Sequence, residues 1–411
     1  MTEQRTFPPD YTPPPGLDKF GVRAFITGLA ALALAGVVAF ATADLRGFLF
    51  SYLAAYVFWT GVTVGCLALV MLQYVARGAW GVAIRRVGES GMRTLPLMAV
   101  LFIPILAGMR RLFPWSRAEA AADEALRIKR AYLNAPGFAA RGAAYFVIWA
   151  LLVYFIYRWS GEQDRTGDPR LTDRARSLSG PGIVIFGLTV TFAATDWVMS
   201  LDPYWASSIF GILFMGGWGL SALTFMILAL AALARFEPMR SVLTPQHFHD
   251  LGTLMFAMVM LYTYFAFSQF LIIWSGNLPE EIPWYLRRMT GGWQFVGIAL
   301  LAFHFAVPFL LLLLRRVKRN ARALGAIAAA MLLMRMVDTF YLVAPEAARS
   351  RAHYAGHFPG LAETLLYAVL PVGIGGVWLA FFVRELRKRP LMPLRDPLLA
   401  RALRHGREAH V

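Results

Sequence analysis

The chain has 411 residues, of which 58% are hydrophobic and only 16% charged, and its mean hydropathy is +0.55. A soluble domain does not carry so much apolar surface, so the composition excludes one and points to a membrane protein embedded in a lipid bilayer. The net charge of +16 does not indicate a nucleic-acid partner, because Lys and Arg sit beside apolar runs and form no continuous stripe.

The N-terminal leader, with Pro8, Pro9, Pro13, Pro14 and Pro15, reads as a disordered cytoplasmic tail over residues 1–20. Ten apolar runs follow, against the ~20 residues that cross ~30 Å of hydrocarbon. They lie near Val22 to Thr42, Phe50 to Val75, Thr94 to Met109, Ala139 to Tyr157, Gly182 to Ser200, Ser207 to Ala234, Leu251 to Trp274, Trp293 to Leu314, Ala321 to Val343 and Leu361 to Val383. The first is too long and too far behind the leader for a cleaved signal peptide, so it is retained. The fold class is therefore all-α and polytopic, with a ten-helix transmembrane domain over 21–385 and a basic cytoplasmic tail over 386–411.

The connections are mostly short, so consecutive helices pack as antiparallel hairpins. Leu201 to Trp205 reads as the shortest connection, and 116–134, 160–181 and 274–292 are among the longest. Within 116–134, Ser116 and Glu119 form a capping-box pattern, acids come first and Arg127, Lys129 and Arg130 last, which predicts an amphipathic surface helix. Pro96, Pro104, Pro308 and Pro371 predict kinks, and small-residue runs such as Gly216-Gly217 and Gly373 to Gly376 predict close helix contacts. Roughly 27 Lys and Arg fall on the side of the two tails against about 12 on the other, which places both termini in the cytoplasm.

Charge at membrane depth is costly, so every ionisable residue within a span is a functional candidate. Asp196, one turn inside the end of the fifth span, could exchange a proton, pair with an Arg or cap a helix. Arg335 and Asp338 are three apart in the ninth span, share a helix face and read as an internal ion pair, structural or proton-gating. His249 and Asp250 begin the seventh span and could take up protons or merely form a solvated helix start. His304 stands midway through the eighth span. Haem ligation there would need a second buried His at matching depth, and none is evident, which leaves a proton relay, a quinone hydrogen bond or a packed His. Asp202, His247, Gln269 and Glu363 are secondary candidates. His247 and His249 are two apart and diverge on a helix, so no metal set forms. Cys66 is the only cysteine, which rules out a disulfide, an iron–sulfur cluster or a C-x-x-C-H haem attachment within this chain.

Three strings carry a family resemblance: TDWVMSLDPYW (Thr195 to Trp205), SQFLIIWSGNLPEEIPWYL (Ser268 to Leu286) and RMVDTFYLVAP (Arg335 to Pro345). With ten spans and both termini inside, the chain resembles, over roughly residues 20 to 390, the F subunit of bacterial alternative complex III, a quinol:cytochrome c oxidoreductase. That family is distantly related to the NrfD/PsrC membrane subunits.

The resemblance implies two four-helix bundles, spans two to five and six to nine, flanked by spans one and ten. It implies a subunit of the bacterial cytoplasmic membrane that binds no cofactor itself, unless a quinone or lipid. Its partners would be a homologous C subunit, the usual candidate for the quinol site, and an iron–sulfur subunit. Multihaem and monohaem cytochrome c subunits, small membrane subunits and a terminal oxidase complete the set. Haem c and iron–sulfur clusters would sit on those partners. The positions matching a proton path are Asp196, His249, Asp250, His304, Arg335 and Asp338. Two other readings stay open: a secondary transporter or channel acting alone, for which an internal repeat is expected and not evident, and a purely structural anchor.

Overall fold

Inside lipid the backbone must satisfy its own hydrogen bonds, which a helix does within one segment. The computed structural model describes residues 11–347 and 358–404, and every regular element among them is helical. Among the described residues ten helices are long and apolar enough to cross a membrane: α1 (Leu17–Thr42), α2 (Leu45–Ala76), α3 (Trp80–Ala107), α4 (Ala135–Thr166), α5 (Pro169–Leu201), α6 (Phe210–Leu233), α7 (Pro245–Gly276), α8 (Trp293–Leu313), α9 (Ala321–Glu346) and α10 (Leu361–Leu386).

Helices α2 to α5 pack as one four-helix bundle and α6 to α9 as a second. The seam between them is made by α2 against α6 and α9 and by α5 against α6. Glycines make the closest part of that seam, since a Cβ on Gly61 would lie 2.4 Å from Trp218 Cδ1 and one on Gly65 2.2 Å from the Trp218 carbonyl oxygen. Helix α2 is consequently 89% buried over its most apolar stretch, whereas α1, α7 and α8 are only 11%, 22% and 17% buried. Their outward residues, such as Phe40, Phe267 and Phe295, are exposed and apolar, as a lipid- or partner-facing surface requires.

The two flanking helices stand together. α10 lies on α2 and α3, and α1 lies along α10. Gly28 permits this contact: a Cβ there would lie 2.7 Å from the Val377 amide nitrogen and 2.9 Å from the Gly373 carbonyl oxygen. Both ends of the described chain therefore meet on one side, where Arg387 pairs with Asp18 and the Leu391 N–H donates to Tyr11 O at 2.8 Å. This is called the near side below, and the opposite one the far side.

Several connections differ from the sequence reading. Segment 160–181 is no loop: α4 and α5 both extend through it, turning at Gly167 (φ 72°) and the N-cap Asp168. Polar residues there simply continue the helices past the apolar zone. For the same reason α3 begins at Trp80 instead of Thr94, and the connections at 43–44 and 167–168 are shorter than 201–205. Segment 116–134 is not one helix but a series of short turns around a single α-helical turn, Glu124–Ile128. Tertiary contacts override the pattern: Ser116 Oγ donates to Met109 O and Phe113 O, and Lys129 Nζ donates to Pro203 O at 2.6 Å.

The tails are shorter than expected as well. Pro8, Pro9 and the final residues 405–411 lie outside the described residues. Tyr11, Leu391, Met392 and Asp396, however, are buried, and α1 starts at Leu17, so 11–20 and 386–404 pack onto the domain. The predicted kinks at Pro96 and Pro104 fall where α3 breaks at Thr94 and Phe102, whereas α10 runs through Pro371 without interruption.

The Gly28 contact yields a direct test. Gly28→Val should overpack the α1/α10 crossing and cost about 1–3 kcal/mol, lowering the melting temperature in detergent. Gly36→Val, on the same helix with nothing within 4 Å of its Cβ position, should be neutral. Equal effects of the two would show that the crossing is not held by this approach.

Candidate functional site

The second bundle closes around a buried ionic cluster. Arg335 and Asp338 share one face of α9, and Arg335 Nη1 donates to Asp338 Oδ2 at 2.8 Å. Tyr262 of α7 donates its hydroxyl to the same oxygen at 2.5 Å, and the Arg335 guanidinium stacks over the Tyr262 ring at 4.2 Å. Ser221 of α6 accepts from Arg335 Nε at 3.3 Å. Gly217 makes the space, since a Cβ there would lie 2.3 Å from Arg335 Nη2.

His304 of α8 completes the group, its ring centroid 5.0 Å from that of Tyr262. It lies in a π-helical stretch, Leu300–Ala306, immediately before Pro308. Proline has no N–H for the carbonyl four residues back, which is that of His304, and a widened turn is one way for the helix to accommodate the loss. His304 is buried and its Nε2 makes no hydrogen bond to the described residues. Carboxylate, phenol and imidazole thus stand in series beside a fixed positive charge at mid-depth, which is chemistry able to hold and exchange a proton.

Of the six principal candidates, His304, Arg335 and Asp338 are brought together and the other three are not. Asp196 lies at the far end of the first bundle. It accepts from Arg141 Nε and Nη2 at 2.9 and 2.8 Å and from the Tyr145 hydroxyl at 2.7 Å. Arg141 in turn stacks on Tyr132 at 3.9 Å. Burial, reinforced by Asp196, pushes the Tyr132 phenol up to about 12, so it stays neutral at physiological pH. Each bundle therefore carries a carboxylate on its last helix, bonded by a tyrosine hydroxyl and an arginine that stacks on a tyrosine.

His249 and Asp250 sit half-buried at the near end of α7, with Nδ1 of the former 3.6 Å from Oδ1 of the latter. Tyr262 lies twelve positions along the helix from Asp250, about 18 Å, a gap that direct hydrogen bonds cannot bridge. His247 is part of the N-cap of α7, its Nδ1 2.8 Å from Thr244 Oγ1. Gln269 donates to the Tyr285 hydroxyl and accepts from Ser207 Oγ, both at 3.3 Å, and Glu363 accepts from the Gly360 N–H at the start of α10.

Asp202 belongs to a second buried cluster on the far side, which sequence reasoning did not find. It pairs with Arg287, which also lies 3.3 Å from Glu346, and Arg288 Nη1 donates to Glu346 at 3.1 Å. Arg288 further donates to the carbonyls of Trp284, Tyr341 and Leu342. The turn after α5, the segment before α8 and the end of α9 are clamped together by these bonds. A third group, the buried Arg85, Arg86 and Glu89 with the partly buried Asp164, stands at the near end of the first bundle. Its signal, four charged residues (Arg85, Arg86, Glu89 and Arg93) within a stretch otherwise rich in small and apolar ones, is present in 79–93 and is masked when that stretch reads as a connection. Tyr145 and Tyr262 were invisible to a scan for ionisable groups alone.

The ion pair sets the second test. Asp338→Ala should strand the buried Arg335 guanidinium and cost about 3–5 kcal/mol, read as lost thermal stability or assembly, whereas Arg335→Met with Asp338→Leu should recover most of that loss. A double variant as damaged as the single would show that the two residues are not coupled.

No family model matches the chain, and a search of curated proteins finds no similar sequence. What the geometry establishes is an all-helical membrane protein with ten candidate spans, built around paired charges in both bundles.

Proposed function

We propose that this chain is an integral membrane subunit of a quinol-oxidising electron-transfer complex of the alternative complex III kind. In this reading it lies in the bacterial cytoplasmic membrane with its near side facing the cytoplasm, and it handles protons while electrons run through haem and iron–sulfur partners. The observation that carries the proposal is the Asp338–Tyr262–Arg335–His304 cluster, four polar groups buried at the middle of a bundle where packing alone would favour apolar side chains.

The three strings behind the family resemblance support it, because they fall on the parts of the structure that hold buried polar groups. TDWVMSLDPYW contains Asp196 and Asp202, RMVDTFYLVAP contains Arg335 and Asp338, and SQFLIIWSGNLPEEIPWYL contains Gln269 and its partner Tyr285. The far side suits docking of extrinsic subunits. Its loops are joined by buried ion pairs, and a cavity of about 460 Å³ there is rimmed by Arg46, Arg117, Asp123, Tyr204 and Glu346. The exposed apolar faces of α7 and α8 suit a second membrane subunit.

The test is purification of the chain from its native membranes by an affinity tag, followed by proton release per electron in proteoliposomes. Haem absorbance should accompany the chain, and Asp338→Asn or His304→Leu complexes that still assemble should release fewer protons per electron than the unaltered complex. Unchanged proton release would leave the subunit as a scaffold. Purification without any haem protein would favour a transporter or channel acting alone.

A further inference from the structure

The near end of the first bundle holds a buried polar group that the Asp338–Tyr262–His304 cluster does not use. Arg85, Arg86 and Glu89 project from the first turns of α3 and are each at most 2% exposed. Arg86 Nη1 donates to Glu89 at 2.6 Å and to Ser160 at 3.0 Å, its Nη2 pairs with Asp164, and Ser160 Oγ donates to the other Glu89 oxygen at 2.6 Å. Arg85 donates to Gln73 at 2.9 Å and to Asp396 at 2.5 Å.

Asp396 belongs to the segment after α10, which lies across this end of the bundle. Arg389 donates to Tyr157 O at 2.9 Å and approaches Glu89 at 3.7 Å. Gln163 donates to Arg395 O at 3.1 Å, and the short helix Leu399–Arg404 packs on α3.

Five buried polar atoms in this one place make no hydrogen bond to the described residues: Gln73 Nε2, Arg85 Nη2, Arg86 Nε, Arg389 Nη1 and Gln163 Oε1. Buried polar groups are almost always satisfied, by protein or by ordered water. The unmatched set contains both donors and an acceptor. The charges around it already balance, with Arg85, Arg86 and Arg389 against Glu89, Asp164 and Asp396. A bound anion would satisfy the donors, leave Gln163 Oε1 unmatched and upset that balance. Water, which donates and accepts without charge, answers both requirements.

The packing beyond this group is apolar, with Val70 and Met226 close against Gly88. Cys66 is fully buried just beyond Glu89, so tightly against α3 that a Cβ on Gly91 would lie 2.5 Å from its Sγ.

We propose that this end of the first bundle is a water-filled vestibule that brings the near-side aqueous phase to Glu89, with the segment 387–404 as its lid, latched by Asp396 on Arg85. The inference stands independently of the quinol-complex reading, because it concerns water access to the chain itself.

The experiment measures the reaction of Ag⁺ with single thiols in the full-length chain in its native membrane, read by protection from maleimide after denaturation. Native Cys66 is the dry reference, and Ser160→Cys in a Cys66→Ala background is the reporter. Ser160→Cys should react at least about tenfold faster than Cys66, and Asp396→Asn should speed it by about tenfold again while leaving Cys66 unchanged. Gln163→Cys, on the same wall, serves if Ser160→Cys does not fold. A reporter as slow as Cys66, with and without the Asp396 change, overturns the vestibule. A fast reporter indifferent to Asp396→Asn overturns the lid.

Discussion

A guanidinium can remain inside a membrane-embedded helix bundle only where a carboxylate and further acceptors replace the water it has lost. That requirement governs the second bundle of this protein. Arg335 is held by Asp338 from its own helix, by Ser221 from α6 and by the ring of Tyr262 from α7, so one compensated charge fixes three of the four helices in register. The apolar surfaces around it supply most of the packing, but they are tolerant of sliding. Directional bonds to a buried ion are not.

The same requirement is met in different ways elsewhere in the molecule. At the far end of the first bundle Arg141, partly exposed, holds Asp196 together with Tyr145. At the far ends of α5 and α9, Arg287 and Arg288 gather Asp202 and Glu346. At the near end, Arg85 draws in Asp396 from beyond α10, while Arg86 holds Glu89 and Asp164. Each group joins segments distant in sequence, and α2 and α6 provide the apolar spine between them. Carboxylates held by tyrosine and arginine in both bundles leave His304 as the distinguishing feature of the second, the only histidine among the described residues at the middle of a span. That asymmetry is why the proton-handling proposal centres there.

Much of this architecture was legible in the sequence. The ten apolar runs appear as the ten spanning helices because nothing but a helix satisfies so long an apolar backbone in lipid, and the three-residue spacing of Arg335 and Asp338 guaranteed a shared face. Tertiary facts were not legible. Hydropathy marks the apolar core of a helix and is blind to its polar extensions, which is why the apolar runs of α3, α4 and α5 are shorter than the helices and the Arg85–Arg86–Glu89 group falls in an apparent connection. The Ser116–Glu119 pattern promised a helix, but a capping box is a local preference worth about 1 kcal/mol, readily outweighed by contacts such as Lys129 with Pro203. Tyr262 could not be identified because its importance lies in what α9 presents to it.

The central claim of the proposal is that Asp338, with Tyr262 and His304, exchanges a proton when the proposed quinol-oxidising complex turns over. Infrared difference spectra between quinol-reduced and oxidised complex test it most directly, because they report a carboxyl group changing protonation. The account predicts a carboxyl signal in the unaltered complex that disappears in an assembled Asp338→Asn variant. An identical signal in both, or none in either, would show that the cluster is an ionic lock between helices and takes no part in moving protons.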